Sequence, residues 1–398
     1  MILNPKHVES TVSGPNACSA LRSNLLSHTH QGCRLLGMAV NSGRYAGELR
    51  RELGHRSRQW ARGRAHVESY GDPPVIVFLP QHPADKDSSV RDPATCLRHG
   101  NFFDPAYAVI ATRPEWMRRF DKIHPREKSL PRPESGRRWR ELDSSMSSDA
   151  LLMSLFCAPG VAESPALRRA LGVEGDETPV FGWKARVPLR NGRFDRTEVD
   201  MRLGSLLVEA KLTEGDFQAK AAAVVEGYRD FDAVFDRERL PRVQKATKRR
   251  KEATEFPEDY SQEFEEVVSE TGNSSRISEA ELSALLIGTP PYLAAAASGA
   301  EEAGYASYQL IRNALAAYAL GCSFCVVHDE RRPDLREAWF EVMAAVKSAE
   351  MRVRLKVLTW QELAAMLPGD LQEFLDRKYG IVAPGKVASA VGEPDEAE

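Results

Sequence analysis

Residues 180–212, VFGWKARVPLRNGRFDRTEVDMRLGSLLVEAKL, decide how the chain reads. Val180 to Leu189 has the composition of a strand, Asn191-Gly192 supplies the residues of a tight hairpin turn, and Arg193 to Leu203 reads as the returning strand. Gly204-Ser205 suits a second two-residue turn before a third strand, Leu206 to Leu212. The expectation is a three-stranded antiparallel meander. Pairing outward from Gly204-Ser205 sets Leu203 against Leu206, Arg202 against Leu207, Met201 against Val208 and Asp200 against Glu209. Side chains alternate along a strand, so Glu209 and Lys211 share a face while Val208, Ala210 and Leu212 point the other way. Moving the turn to Leu203-Gly204 makes the Asp200–Glu209 relation diagonal and keeps the face. Asp200, Glu209 and Lys211 therefore converge on one patch.

Two carboxylates set opposite each other repel and weaken a sheet. The arrangement makes sense around a divalent cation, Mg²⁺ or alternatively Mn²⁺, because hard cations take one or two carboxylates together with water and phosphate oxygens. A metal held by Asp200 and Glu209 would activate water and polarise a phosphoryl group, and Lys211 would add a fixed positive charge.

Glu198-Val199-Asp200-Met201 followed by Leu206-Leu207-Val208-Glu209-Ala210-Lys211 resembles the D…ExK core of the PD-(D/E)xK, restriction-endonuclease-like nucleases. Further pieces resemble one branch of these proteins: Ser147 to Leu151, Tyr308 to Asn313, and Val327-His328-Asp329 with Arg331-Arg332-Pro333. The resemblance covers residues 140–380 and implies Asp200, Glu209 and Lys211 as catalytic residues, DNA as substrate and Mg²⁺ as cofactor. A role in defence against foreign DNA, in repair or in recombination would use the same core. Val199 stands where many members have proline. Many members also draw an acid or amide from an upstream helix, for which Glu141, Asp143 and Asp149 are candidates, Asp149 first because it opens a helix.

Around this centre, Ser147-Ser148-Asp149 offers an N-cap for an apolar helix from Ala150 to Cys157. After the meander the pattern predicts a long helix over 215–240, a charged insertion over 241–275, a helix over 306–320, a strand from Ser323 to His328, a helix over 334–348, a strand from Arg354 to Thr359 and terminal helices. The expected fold is α/β: a mixed sheet of antiparallel meander plus strand–helix–strand, flanked by helices, with a basic N-terminal extension. In domain terms, 1–37 reads as an aperiodic, disordered leader (Met38 is an alternative start), 38–139 as a partly helical extension, 140–382 as the nuclease-like domain and 383–398 as a disordered acidic tail.

Bulk properties narrow the class without naming it. No apolar run approaches the roughly 18 residues of a membrane span, and no secretory signal pattern opens the chain, so a cytoplasmic protein is expected. The formal net charge is −3, yet Arg44 to Arg64 carries seven arginines against Glu48 and Glu52, and Arg237 to Lys251 carries eight basic residues against Glu238. Such runs attract phosphate backbones or form solvated helix faces.

Each feature has a plainer reading. Lys211 could be half of a cross-strand ion pair with Glu198. Gln309, Arg312 and Asn313 share a helix face and could line a site or form a polar rim. Cys322 and Cys325 have CxxC spacing but stand alone on an apolar strand, which favours buried thiols over zinc. His28, His30 and Cys33 are ligand-like by type only. A binding module with a degenerate, non-cleaving site remains the main alternative. Target sequence, RNA as substrate, a homodimer and a partner methylase are left open.

Overall fold

The structure, a computed structural model, describes residues 27–61, 67–70, 75–78, 99–124, 138–244 and 303–389. Helix α1 (Ser27–Ala61) begins inside the span read from sequence as a leader. From Ser42 onward the chain forms one unit. A two-stranded hairpin, β1 (Val67–Tyr70) and β2 (Val75–Phe78), follows α1. Then come α2 (Asp104–Ala111), α3 (Pro114–Met117), α4 (Ser148–Phe156) and α5 (Pro165–Leu171). Ser147 caps α4 through its hydroxyl, which accepts from the Ala150 amide.

The central sheet has five strands: β3 (Val180–Lys184), β6 (Glu198–Leu203), β7 (Leu206–Ala210), β11 (Ser323–His328) and β12 (Leu355–Thr359), in spatial order β12-β11-β7-β6-β3. β3, β6 and β7 are antiparallel, whereas β7, β11 and β12 run parallel. The fold is thus a mixed α/β sheet flanked by helices. Alternation places Leu206, Val208, Ala210, Cys325 and Val327 in one core with α1, α2, α4, α5, α11 (Trp360–Ala364) and α12 (Gly369–Tyr379). Leu207, Phe324 and Val326 face the other core, with α8 (Tyr308–Leu320) and α9 (Pro333–Ala345). Each buried Val, Leu or Phe among these is worth roughly 1.5–3 kcal/mol, so register is strongly specified.

The meander differs from its sequence expectation in detail. Each long strand is interrupted, leaving the short ribbon β4 (Val187–Pro188) and β5 (Phe194–Asp195) beyond the β3–β6 pair. The helix expected over 215–240 does not form. In its place are β8 (Lys220–Ala221), α6 (Ala222–Val225) and α7 (Phe231–Val234). Phe217, Val225, Tyr228, Phe231, Val234 and Phe235 are buried at near-helical spacing, which explains the reading. The backbone instead turns at 227–229 to bond β4: the Arg190 amide donates to the Gly227 carbonyl and the Arg229 amide to Pro188.

Of the expected charged insertion, Arg242–Gln244 forms β9, which pairs with β10 (Ala303–Tyr305); 245–302 lie outside the described residues. The expected acidic tail is tied down as far as Ser389, whose amide and hydroxyl both donate to Asp376. A short helix α10 (Ala349–Arg352) precedes β12. Among the described residues no helix is long and apolar enough to cross a membrane.

Candidate functional site

The β6–β7 ladder runs from Leu203–Leu206 to Met201–Val208 and stops there. Sequence pairing continued it to Asp200–Glu209. Instead the Ala210 amide donates to Asp200 Oδ2 at 2.7 Å, so a side chain takes the place of a ladder partner. Val199 packs in one core and Met201 in the other, which means that face alternation breaks at Asp200. Across from it on β3, Gly182 has φ +60°, and a Cβ there would meet the Arg119 guanidinium. Glycine at 182 both permits this backbone and leaves room for Arg119.

Glu209 and Lys211 are buried and joined, Lys211 Nζ to Glu209 Oε1 at 2.8 Å. The other carboxylate oxygen of Glu209 accepts from Asn313 Nδ2 at 2.7 Å. Asn313 lies on α8, and its Oδ1 accepts from Arg312, which also donates to the Glu198 carbonyl. α8 starts at the site because the Tyr308 and Gln309 amides donate to the carbonyls of Gln218 and Phe217. Of these three polar residues on the helix, Asn313 touches Glu209 and Arg312 braces Asn313, whereas Gln309 Oε1 is buried with no hydrogen-bond partner among the described residues.

Charge in this cluster is unevenly stabilised. Burial, then Glu209 and Asp149, push the Asp200 carboxyl well above the usual range, against Lys211 and the Ala210 amide. Burial opposes the charge on Lys211, but Glu209, Glu214 and Asp200 outweigh it and hold the ammonium above the ordinary lysine range. The ammonium form of Lys211 is therefore favoured, whereas the ionised form of Asp200 is penalised.

The upstream acids divide. Asp149, in the first turn of α4, is bonded by Arg119, which also donates to Glu198 at 2.8 Å. Glu141 pairs with Lys122 at 3.0 Å, and burial followed by Asp149 raises its carboxyl. Asp143 is turned elsewhere, accepting from the Arg140 amide and lying 3.5 Å from His99 Nε2. Asp149 adds to burial and Glu209 in raising the Asp200 carboxyl. The Glu198–Lys211 pair considered from sequence does not form. Glu198 is taken by Arg119 and Lys122 because the break at Asp200 separates it from the β7 face.

The loop after Lys211 is fixed from several directions. Trp360 Nε1 donates to the Lys211 carbonyl at 2.9 Å, and Arg50 of α1 donates twice to that of Thr213. Arg332, fully buried, donates to the carbonyls of Leu212, Glu214 and Gly215. Glu214 accepts from the Leu212 amide and from Ser148 Oγ, linking the loop to the start of α4. Arg50, Arg119, Glu214 and Trp360 carry no pattern that sequence reading could connect with Asp200, and local periodicity is silent on such contacts.

Asp200 and Glu209 offer oxygen donors to a hard cation. Asp200 Oδ2 holds the Ala210 amide and its second oxygen accepts no hydrogen bond among the described residues. Among the described residues no three His, Cys, Asp or Glu side chains gather closely enough to hold a metal by themselves. Such a donor set suits Mg²⁺, which usually keeps waters and binds through one or two carboxylates plus substrate phosphates. Cys322 and Cys325 are buried free thiols; the side chains of His28, His30 and Cys33 lie outside the described residues.

A family model described as "Restriction Endonuclease associating with ARP" matches residues 58–380, spanning every strand of the sheet and the whole cluster around Asp200. The chain belongs to that family. No curated protein and no solved structure matches it. Within this restriction-endonuclease family match lie Asp149, Asp200, Glu209, Lys211 and Asn313, while Arg50 lies before it.

Proposed function

We propose that this protein is a Mg²⁺-dependent endonuclease of the PD-(D/E)xK kind that hydrolyses phosphodiester bonds in DNA, in a restriction or defence role. Asp200 and Glu209 would hold the metal, with Asp149 as a further oxygen donor. The observation that carries this reading is geometric: Asp200, whose Oδ2 accepts from the Ala210 amide at 2.7 Å, stands beside buried Glu209, which Lys211 Nζ meets at 2.8 Å. An antiparallel hairpin carrying D…ExK, followed by parallel strands reached through helices, supports a restriction-endonuclease-like topology. The family match supports a nuclease and DNA as its substrate.

Mg²⁺ bound there would polarise the scissile phosphoryl group and lower the pKa of the attacking water. Lys211 places its charge where negative charge builds during the displacement. Asn313 holds the second oxygen of Glu209 and so limits rotation of that carboxylate. Arg332 and Trp360 donate hydrogen bonds to carbonyls of the Lys211–Gly215 backbone and so brace it.

A second reading, a DNA-binding module that does not cut, draws on the engagement of Glu209 at both oxygens by Lys211 and Asn313. A plasmid-nicking assay with Mg²⁺, Mn²⁺ or EDTA separates the two. Metal-dependent nicking lost in Asp200→Asn supports the nuclease. DNA binding without nicking under any metal supports the module and sinks the cleavage proposal.

A further inference from the structure

We propose that the β4–β5 ribbon is the element that grips the backbone of duplex DNA beside the candidate site; this rests on the nuclease reading and names the surface that would serve it. Residues 184–196 carry five cations, Lys184, Arg186, Arg190, Arg193 and Arg196, against Asp195 as the one acid. Asp195 makes no ion pair with them among the described residues; its carboxylate accepts from Thr197 and from the Tyr228 hydroxyl. All five cations are exposed. Arg190 pairs with Asp232, whereas Lys184, Arg193 and Arg196 make no ion pair among the described residues. Phe194 is 43% exposed, with the Arg186 guanidinium stacked 4.6 Å above its ring.

The ribbon is also braced by hydrogen bonds. Asn191 Oδ1 accepts from the Arg193 amide, Gly192 takes φ +81° in the tight turn, and Arg190 donates to the Glu226 carbonyl. The Leu189–Tyr228 bridge fastens β4 to the buried layer around α8. Charges on such a scaffold meet phosphates without the ordering cost of a loose loop.

Arg196 precedes Asp200 by four residues, which at full extension span at most about 13–14 Å. Duplex DNA advances about 3.4 Å per nucleotide of each strand, so Arg196 would meet phosphates no more than about four nucleotides from the one at Asp200. A two-stranded ribbon also fits the major groove of B-form DNA, while the deep, narrow groove of A-form RNA excludes it.

The test is binding of the full chain to a labelled 30-base-pair DNA duplex, with Ca²⁺ replacing Mg²⁺, across a salt series. Arg193→Glu with Arg196→Glu should raise Kd at least tenfold and reduce the magnitude of the slope of log K against log salt by about two, at about 0.9 per phosphate contact. Arg169→Glu, exposed on α5 near the opposite sheet edge, is the control for charge reversal away from the ribbon and should change neither. Mn²⁺-induced stabilisation should be the same in the double variant as in the wild type, showing an intact metal site. Unchanged affinity and slope in the double variant, or an equal loss in Arg169→Glu, overturns the ribbon while leaving the nuclease reading standing. A duplex RNA bound as tightly as DNA also overturns it. A wild type that binds no duplex DNA overturns both.

Discussion

The Asp200 carboxylate accepts the amide hydrogen of Ala210 at 2.7 Å, in the position where a backbone carbonyl would continue the β6–β7 ladder. The two strands part there, and the parting is what lets Asp200 stand near Glu209 without being its ladder partner. The same break sends Glu198 to Arg119 and leaves Lys211 to Glu209.

Asp200→Asn tests the like-charge cost directly. Removing one carboxylate from beside Glu209 and Asp149 should make the metal-free protein more stable by a few tenths to about 1 kcal/mol, the range for cross-strand charge effects. The amide should also lose the Tm increase that Mg²⁺ or Mn²⁺ gives the wild type by binding the folded state alone. Melting curves with and without metal read both effects. A variant that melts lower, beside a wild type that ignores metal, rules out the metal site.

Lys211→Met should abolish cleavage, and it should also be costly to the fold. Glu209 is 1% exposed, and removal of its cation leaves a buried carboxylate with Asn313 alone, a loss of about 3–5 kcal/mol by analogy with other broken buried pairs. Lys211→Met combined with Glu209→Gln should recover part of that loss, because the stranded charge is gone. Denaturant unfolding of the single and double variants measures the coupling; simple additivity would show that the pair is not a unit.

Arg332→Met should destabilise by about 3 kcal/mol or more, since Asp334 would be left buried without its guanidinium and three loop carbonyls would lose their donor. Arg50→Ala removes two donors to the Thr213 carbonyl and should cost about 1–3 kcal/mol. Equal, small effects from both would mean that the loop after Lys211 is held by its own backbone.

Gly182→Ala places a Cβ against the Arg119 guanidinium at φ +60°. The backbone conformation alone should cost about 1–2 kcal/mol, and displacement of Arg119 from Asp149 and Glu198 should add to it. If Arg119→Met already removes the added part, the two losses will not sum. Thermal melts of the two single variants and the double variant decide this.

His328 gives a pH signature. Burial, opposed by its bond to Asp329, lowers its pKa, so the fold holds the neutral ring while the unfolded chain gains a proton near the usual value of about 6.5. Stability from this group is complete above about pH 6.5 and falls as pH drops below it, by at most about 1.4 kcal/mol per pH unit. His328→Gln should flatten the denaturant midpoint between pH 7 and 5 relative to wild type. An identical pH slope in the two proteins would assign the loss to carboxylates instead.

Local sequence rules determined a specific set of features. The Gly204-Ser205 turn, the Met201–Val208 register, the division of Val208 and Ala210 from Glu209, the Ser147 cap and the strands of β11 and β12 all follow from turn chemistry, period-two alternation and capping. These rules act over a few residues, so the residues themselves express them. The same rules misread 215–240, where buried residues at helical spacing are bent around β4 by the Leu189–Tyr228 pairing. They also could not reach Arg119 against Asp149 and Glu198, Asn313 on Glu209, or Arg332 and Arg50 on the loop after Lys211. Those partners lie 30 to 163 residues apart along the chain and meet only when helices from both ends pack against one sheet. The tertiary structure therefore decided which charge neutralises which, because burial makes an unpaired ion too costly to leave where local pattern alone would put it.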